Sequence, residues 1–331
     1  MSASFTRRRF VQWSGRAGAG LAAASLLRES LLPAAEARGP KLLVTVRDAM
    51  LKHVGAADCW AAMKQIGVEG VEAVIGDDLT LPGLFHPTAK YTAATSAGAG
   101  QLAADAAAAG QKITAFCMFN RYEERPEFEI EWGARAAAAA QALGVPTIRI
   151  DVVPRKLARP EFLQHAIATL KKLMAATEAT GVTFAIENHG NTSNDPEFLT
   201  ALFEGVGSRR LGLTLDTGNF YWFGHPLSKL YELYERFAPR AFHTHCKSIG
   251  YPAEEREKQR PMGWRYGDFH GPITQGDIDF RRVVAILRKA GYANDLCIEN
   301  ESFRKAAPAE AAEVLKKEVE LLKGLREGGT P

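Results

Sequence analysis

Four residues able to hold a divalent ion stand at the ends of four separate strand-like runs. They are Glu187 in FAIENHG, Asp216 in LGLTLDTGN, His245 in AFHTHCKS and Glu299 in LCIENES. Each follows a short apolar run, and helix-length segments separate the runs. When parallel strands close into a barrel, their C-terminal ends converge on one mouth. Three carboxylates and one imidazole meeting there suit one fairly hard divalent ion, Mn²⁺ first, with Mg²⁺, Co²⁺ or Zn²⁺ as alternatives. A single residue of this kind reads equally well as a capped or ion-paired strand end; four at corresponding ends do not.

Side chains alternate along a strand, so residues two apart share a face. His243, His245 and Lys247 therefore point together, as do Glu187 and His189, and Glu299 and Glu301. On spacing alone His243 competes with His245 as the ligand. His189, His243, Lys247 and His270 (in GDFHGP) are the candidates for a second acid or for substrate contact. Each has a plainer reading: a turn cap for His189, a buried strand histidine for His243, an ion pair for Lys247, a surface loop for His270. Phe220, Tyr221 and Trp222 directly follow Asp216 and would either stack on a sugar ring or pack the loop. Trp264 and Arg265 carry a weaker version of that argument.

The elements that must position these residues are legible as an alternation. Strand-like runs fall at 41–47, 68–76, 112–119, 147–153, 183–188, 211–216, 241–247 and 296–300, and helical segments such as 127–144 and 159–181 lie between them. Near-continuous apolar strands alternating with helices predict a parallel sheet covered by helices. Eight such units predict an α/β fold, a (β/α)8 TIM barrel, as one domain over 38–331. A doubly wound open sheet is the alternative, weakened by the absence of a GxGxxG after the first strand. Two long loops, 77–95 and 248–276, should shape the mouth. The last outer helix is expected within 307–328.

The chain has 331 residues and is 46% hydrophobic, with a net charge of +3. That excess lies in residues 1–37, which hold five Arg and two Glu; the remainder balances 36 basic against 36 acidic residues. A neutral domain leaves no electrostatic footprint for nucleic acid or anionic membranes. TRRRFVQ at 6–12, the weakly apolar run at 17–27 and Ala35-Glu36-Ala37 read as a twin-arginine signal peptide cleaved near Ala37. The apolar run is too short to span a bilayer. The expectation is a soluble periplasmic protein whose partners are the twin-arginine export machinery and a small sugar or keto-sugar, with a homo-oligomer left open. Four scattered cysteines without a CxxC pair read as buried structural thiols.

The pieces IEN (186–188), LDTGN (215–219), HTHCK (243–247), ITQGDIDFRRVVAILRKAGY (273–292) and CIE (297–299) resemble the xylose isomerase-like TIM-barrel superfamily. The resemblance covers about residues 41–326. That superfamily includes sugar isomerases, ketose 3-epimerases, inosose dehydratase-like lyases and a branch of AP endonucleases. The resemblance implies Glu187, Asp216, His245 and Glu299 as metal ligands, with Glu187 and Glu299 also as acid and base on opposite faces of the substrate. Lys247 is a further catalytic candidate, and His189, His243, His270, Asn219 and Trp222 are the candidates for substrate binding. Three departures narrow it. Asn219 stands where the three-zinc endonucleases have a histidine, Ser248 where the family often has an aspartate, and Tyr251 where ketose 3-epimerases carry an arginine. The expected function is a metal-dependent sugar isomerase or epimerase acting through α-proton abstraction and an enediolate. The alternatives are β-elimination from a 3-keto-glycoside outside the cytoplasm and a non-catalytic sugar-binding barrel.

Overall fold

The computed structural model describes residues 41–305 and 307–327. The signal peptide expected over residues 1–37, with its cleavage signal, lies outside the described residues. The barrel strands are β1 (Leu43–Arg47), β2 (Gly70–Val74), β3 (Lys112–Met118), β4 (Thr147–Ile150), β5 (Thr183–Glu187), β6 (Leu211–Asp216), β7 (Ala241–His245) and β8 (Asp295–Ile298). All neighbours pair in parallel, in the ring order β8-β1-β2-β3-β4-β5-β6-β7. The ring closes through a parallel bridge between Cys246 and Ile298, where the Cys246 amide donates to the Cys297 carbonyl at 2.6 Å and the Glu299 amide to Cys246 at 3.2 Å.

Each strand is followed by an outer helix: α1 (Cys59–Ile66), α2 (Ser96–Ala108), α3 (Pro126–Leu143), α4 (Arg159–Ala176), α5 (Pro196–Val206), α6 (Leu227–Phe237), α7 (Phe280–Lys289) and α8 (Pro308–Arg326). Their limits follow local chemistry. Asp58, Asp195 and Asp279 accept first-turn amides at α1, α5 and α7, and prolines open α3, α4, α5 and α8. Left-handed glycines end α1, α3 and α5 at Gly67, Gly144 and Gly207. The expected (β/α)8 barrel is therefore observed, with strand limits that match the apolar runs or differ from them by up to three residues at an end. No described helix is long and apolar enough to cross a membrane.

The core lies between strands and helices, built from residues such as Val44, Phe116, Ile148, Phe184, Leu213, Leu230, Leu287 and Leu315. The barrel interior is different. Thr45, Glu72, Thr114, His243 and Asp295 are buried there and hydrogen-bonded or ion-paired to one another. The four cysteines are free and buried, as expected.

The loop after β7 folds back on itself. Ser248–Ile249 pairs antiparallel with His270–Gly271, and Tyr266–Phe269 forms one helical turn. Arg260 anchors it: its guanidinium lies over the rings of Tyr221 (4.6 Å) and Tyr251 (4.3 Å) and donates to the carbonyls of Lys258 and His225 at 3.0 Å each.

Candidate metal centre

Strands β5, β6 and β7 end in Glu187, Asp216 and His245, and Glu299 directly follows β8. One donor atom from each of the four lies within 4.8 Å of the others, and all four residues are buried. His245 Nδ1 sits 3.3 Å from Glu187 Oε1, 3.4 Å from Glu299 Oε2 and 3.8 Å from Asp216 Oδ2. On its other side Nε2 lies 3.0 Å from Glu72 Oε2. A carboxylate there keeps the proton on Nε2 and turns the Nδ1 lone pair toward the three acids, the usual arrangement behind a metal-binding histidine.

The residues fit a divalent ion. Asp216 Oδ1 accepts the Gly218 and Asn219 amides at 2.8 Å each, so the turn fixes the carboxylate, while Oδ2 is buried without a hydrogen-bond partner. Glu299 Oε2 also lacks a hydrogen bond, although Lys247 Nζ lies 2.8 Å away. Buried carboxylate oxygens are costly unless a cation faces them, and here the Lys247 ammonium lies beside both, 3.2 Å from Asp216 Oδ2. Burial pushes the Asp216 carboxyl up to about 7, with Lys247 opposing and Glu299 and Glu187 adding to it. Burial also works against charge on Glu187, but Arg149 and His245 overcome it and hold that carboxyl well below the usual range. For Glu299 burial is likewise overcome, by Lys247, Arg47 and His245. Burial lowers His245, yet Glu72, Glu299 and Glu187 raise it to about 10. Without an ion, the imidazolium proton holds the acids together.

Two arginines close the set. Arg149 Nε donates to Glu187 Oε2 at 2.7 Å, and Arg47 pairs with Glu299 Oε1. Both guanidiniums lie near the Phe119 ring, at 5.3 and 5.7 Å, and that ring is half exposed.

The substrate-facing candidates separate. His189 is exposed and its Nδ1 lies 3.1 Å from Asp151 Oδ1. Lys247 Nζ lies 3.2 Å from Asp216 Oδ2 and 3.7 Å from Glu301. His270 packs its ring on Tyr266 at 4.9 Å, and the Tyr266 hydroxyl donates to Glu301, which lies 3.7 Å from Lys247 Nζ. Asn219 is buried and donates to Glu187 Oε1 at 3.0 Å, which aims a ligand rather than a substrate. Trp222 is half-buried, and its carbonyl accepts the Gly263 amide of the long loop at 2.8 Å. The expectation that His243 meets substrate is corrected: it is fully buried beneath His245 and bound to Asp295 at 2.8 Å. Phe220 and Tyr221 are fully buried too and pack the core instead of offering a face. Trp264 stacks on Phe269 at 5.8 Å.

Glu72, Arg47, Arg149 and Asp151 escaped the sequence reading. The signal was there: a charged residue inside or just past an apolar parallel strand, as in VTVR, VEAV and TIRID, has to find a partner indoors.

An uncharacterised protein of Methanocaldococcus jannaschii is 26% identical over 166 residues, 49% of this chain and 51% of that protein, so the chain spans about half the length of the curated relative it matches. Among solved structures, an IOLI protein with a bound zinc atom superposes with a TM-score of 0.64 at 19% identity, covering 86% of this chain and 98% of that one. An L-ribulose 3-epimerase gives 0.62 at 16% identity, covering 87% and 95%. A mannonate dehydratase from Streptococcus suis gives 0.62 at 13% identity, covering 88% and 96%. At these identities the likeness concerns the fold. The family model described as the xylose isomerase-like TIM barrel matches residues 60–325, and the chain belongs to that family.

Proposed function

We propose that the chain is a divalent-metal-dependent sugar isomerase or epimerase that removes a proton from a carbon beside a carbonyl. The quartet carries this reading: four donors from four strand ends converge within 4.8 Å of one another, all of them buried. Sugar epimerases and dehydratases on the same fold add support. Glu187, Asp216, His245 and Glu299 would hold the ion, with Mn²⁺ first for a set of three oxygens and one nitrogen, and Mg²⁺, Co²⁺ or Zn²⁺ behind it. When bound, such an ion polarises a carbonyl and stabilises the enediolate left by proton loss.

The rest is the work of side chains. Glu187 and Glu299 are the proposed acid and base on opposite faces. Each has its outer oxygen on a guanidinium, Arg149 or Arg47, so substrate has to loosen that pair before the oxygen takes a proton. Lys247, between Asp216 and Glu299, is placed to protonate a developing oxyanion. Asn219 holds Glu187 in position, and Trp222 and His270 shape the rim through the long loop. The leader pattern at 6–37 supports the further proposal of a periplasmic enzyme.

One observation favours a second reading, β-elimination from a 3-keto-glycoside. His189, oriented by Asp151, is a proton carrier outside the quartet. In that reaction a base takes the proton beside the keto group, the glycosidic C–O bond breaks, and His189 protonates the departing oxygen.

The test is product analysis by NMR on metal-loaded protein with ketoses, aldoses and 3-keto-glycosides. A converted sugar of unchanged composition supports isomerisation or epimerisation, and a released alcohol with an unsaturated keto-sugar supports elimination. Bound metal and sugar without any product would contradict both and leave a binding barrel.

A further inference from the structure

The mouth carries an aromatic ring that the chemistry above does not use. Phe119, just past β3, is 49% exposed, so much of its ring meets solvent. Its direction follows from the strand. Cys117 Sγ lies 3.9 Å from Arg47 Nη2, inside the barrel. Phe119 stands two positions on, so its side chain leaves the same face one layer nearer the mouth. The contacts agree: the ring centre is 5.7 Å from the guanidinium carbon of Arg47 and 5.3 Å from that of Arg149. Those arginines belong to β1 and β4, which are not neighbours in the barrel. A ring that touches both hangs over the mouth rather than outside it. The same guanidiniums hold Glu299 and Glu187, so the ring lies one side chain away from the proposed acid and base.

A phenyl ring has no hydrogen bond to give, and its faces attract cations and C–H surface. The two cations are already in place. Sugars present patches of C–H bonds between their hydroxyls, and such a patch suits what remains exposed. Charge narrows the choice further. Arg47 faces Glu72 at 3.2 Å besides Glu299, and Arg149 faces Asp151 at 2.9 Å besides Glu187. Lys247 faces Asp216 at 3.2 Å and Glu299 at 2.8 Å. A phosphate or carboxylate on the substrate would have to break one of these pairs and set its own charge among the carboxylates. A sugar hydroxyl can share a guanidinium N–H without displacing the charge.

We propose that Phe119 is the platform for the C–H face of an uncharged sugar, and that the site takes neutral sugars rather than sugar phosphates or sugar acids. This rests on the enolising reading above and names its substrate class. Phe119 takes the part expected of the aromatic residues after Asp216, of which Phe220 and Tyr221 are buried.

The experiment is an NMR titration of metal-loaded protein with ketoses, aldoses and 3-keto-glycosides, and with sugar 6-phosphates and uronic acids, alongside the rate of deuterium exchange. With the native chain, sugar C–H resonances should move upfield on binding, as protons above an aromatic face do. They should stay in place with Phe119→Leu and move again with Phe119→Tyr. KM for exchange should rise about tenfold in Phe119→Leu at unchanged kcat, and Phe119→Tyr should recover it. The neutral sugars should bind more tightly than the phosphates and acids. Exchange whose KM is unmoved in Phe119→Leu overturns the platform and leaves enolisation standing. Binding to the native chain without an upfield shift does the same. Lowered metal affinity in Phe119→Leu at unchanged KM makes the ring a cover over the ion pairs and overturns the platform too. Tighter binding of a phosphate or an acid overturns the substrate class. An upfield shift without exchange keeps the platform and contradicts enolisation instead, and no binding by any sugar overturns both.

Discussion

Asp216 makes the strongest single demand for a cation, because one of its oxygens is spent on the turn amides and the other faces Lys247 Nζ at 3.2 Å and His245 Nδ1 at 3.8 Å. The ligands around it are aimed by neighbours, and the aiming is testable. Asn219→Ala removes the amide donor to Glu187 Oε1, and metal affinity measured by equilibrium dialysis should fall about 10–100-fold, with the fold retained. A second prediction concerns Glu318, which accepts a hydrogen bond from Asn300, the residue next to Glu299. Its Oε1 accepts the Ile273 amide and the Asn300 side chain, while Oε2 is buried without a partner. Burial raises this carboxyl from 4.5 to about 7. The folded state therefore keeps a proton that the unfolded chain releases, and stability falls as pH rises through that window, by up to about 3 kcal/mol. Glu318→Gln should raise the melting temperature at pH 8 and leave it nearly unchanged at pH 4.5. At this scale the quartet was legible because each member ends an apolar run. Glu72 was not, because its partner His245 lies 173 positions away and only ring closure shows the pairing.

At the scale of elements, the alternation of apolar runs and amphipathic segments was enough to predict all eight units. The ends of most strands shifted by one to three residues, and β6 matches its run. The loop after β7 was visible only as length. Its fold rests on Arg260, whose cation–π and carbonyl contacts come from residues spread along the chain. Arg260→Met should speed proteolytic cleavage within 252–264 several-fold while the barrel's thermal transition barely moves. Gly224 sits where that loop crosses, at φ +111, and an added Cβ would lie 2.0 Å from the Arg260 carbonyl. Gly224→Ala should cost roughly 1–3 kcal/mol in chemical denaturation, through strain and overpacking.

At the scale of the whole molecule, the proposed ion would act on the barrel as a whole. The quartet joins β5, β6, β7 and β8, so binding to the folded state alone stabilises the closed ring. Metal at about a hundredfold excess over its Kd contributes about 2.7 kcal/mol, and chelation should lower the melting temperature by at least about 5 °C. The family and fold leave the reaction to the site, and the central claim is that this site enolises a sugar. Its most direct test is solvent deuterium exchange, followed by NMR, on metal-loaded protein with ketoses, aldoses and 3-keto-glycosides. The account predicts deuterium at the carbon beside the carbonyl with the native chain and none with Glu187→Gln. Turnover of any of these sugars without deuterium at that carbon, or exchange undiminished in Glu187→Gln, would contradict it.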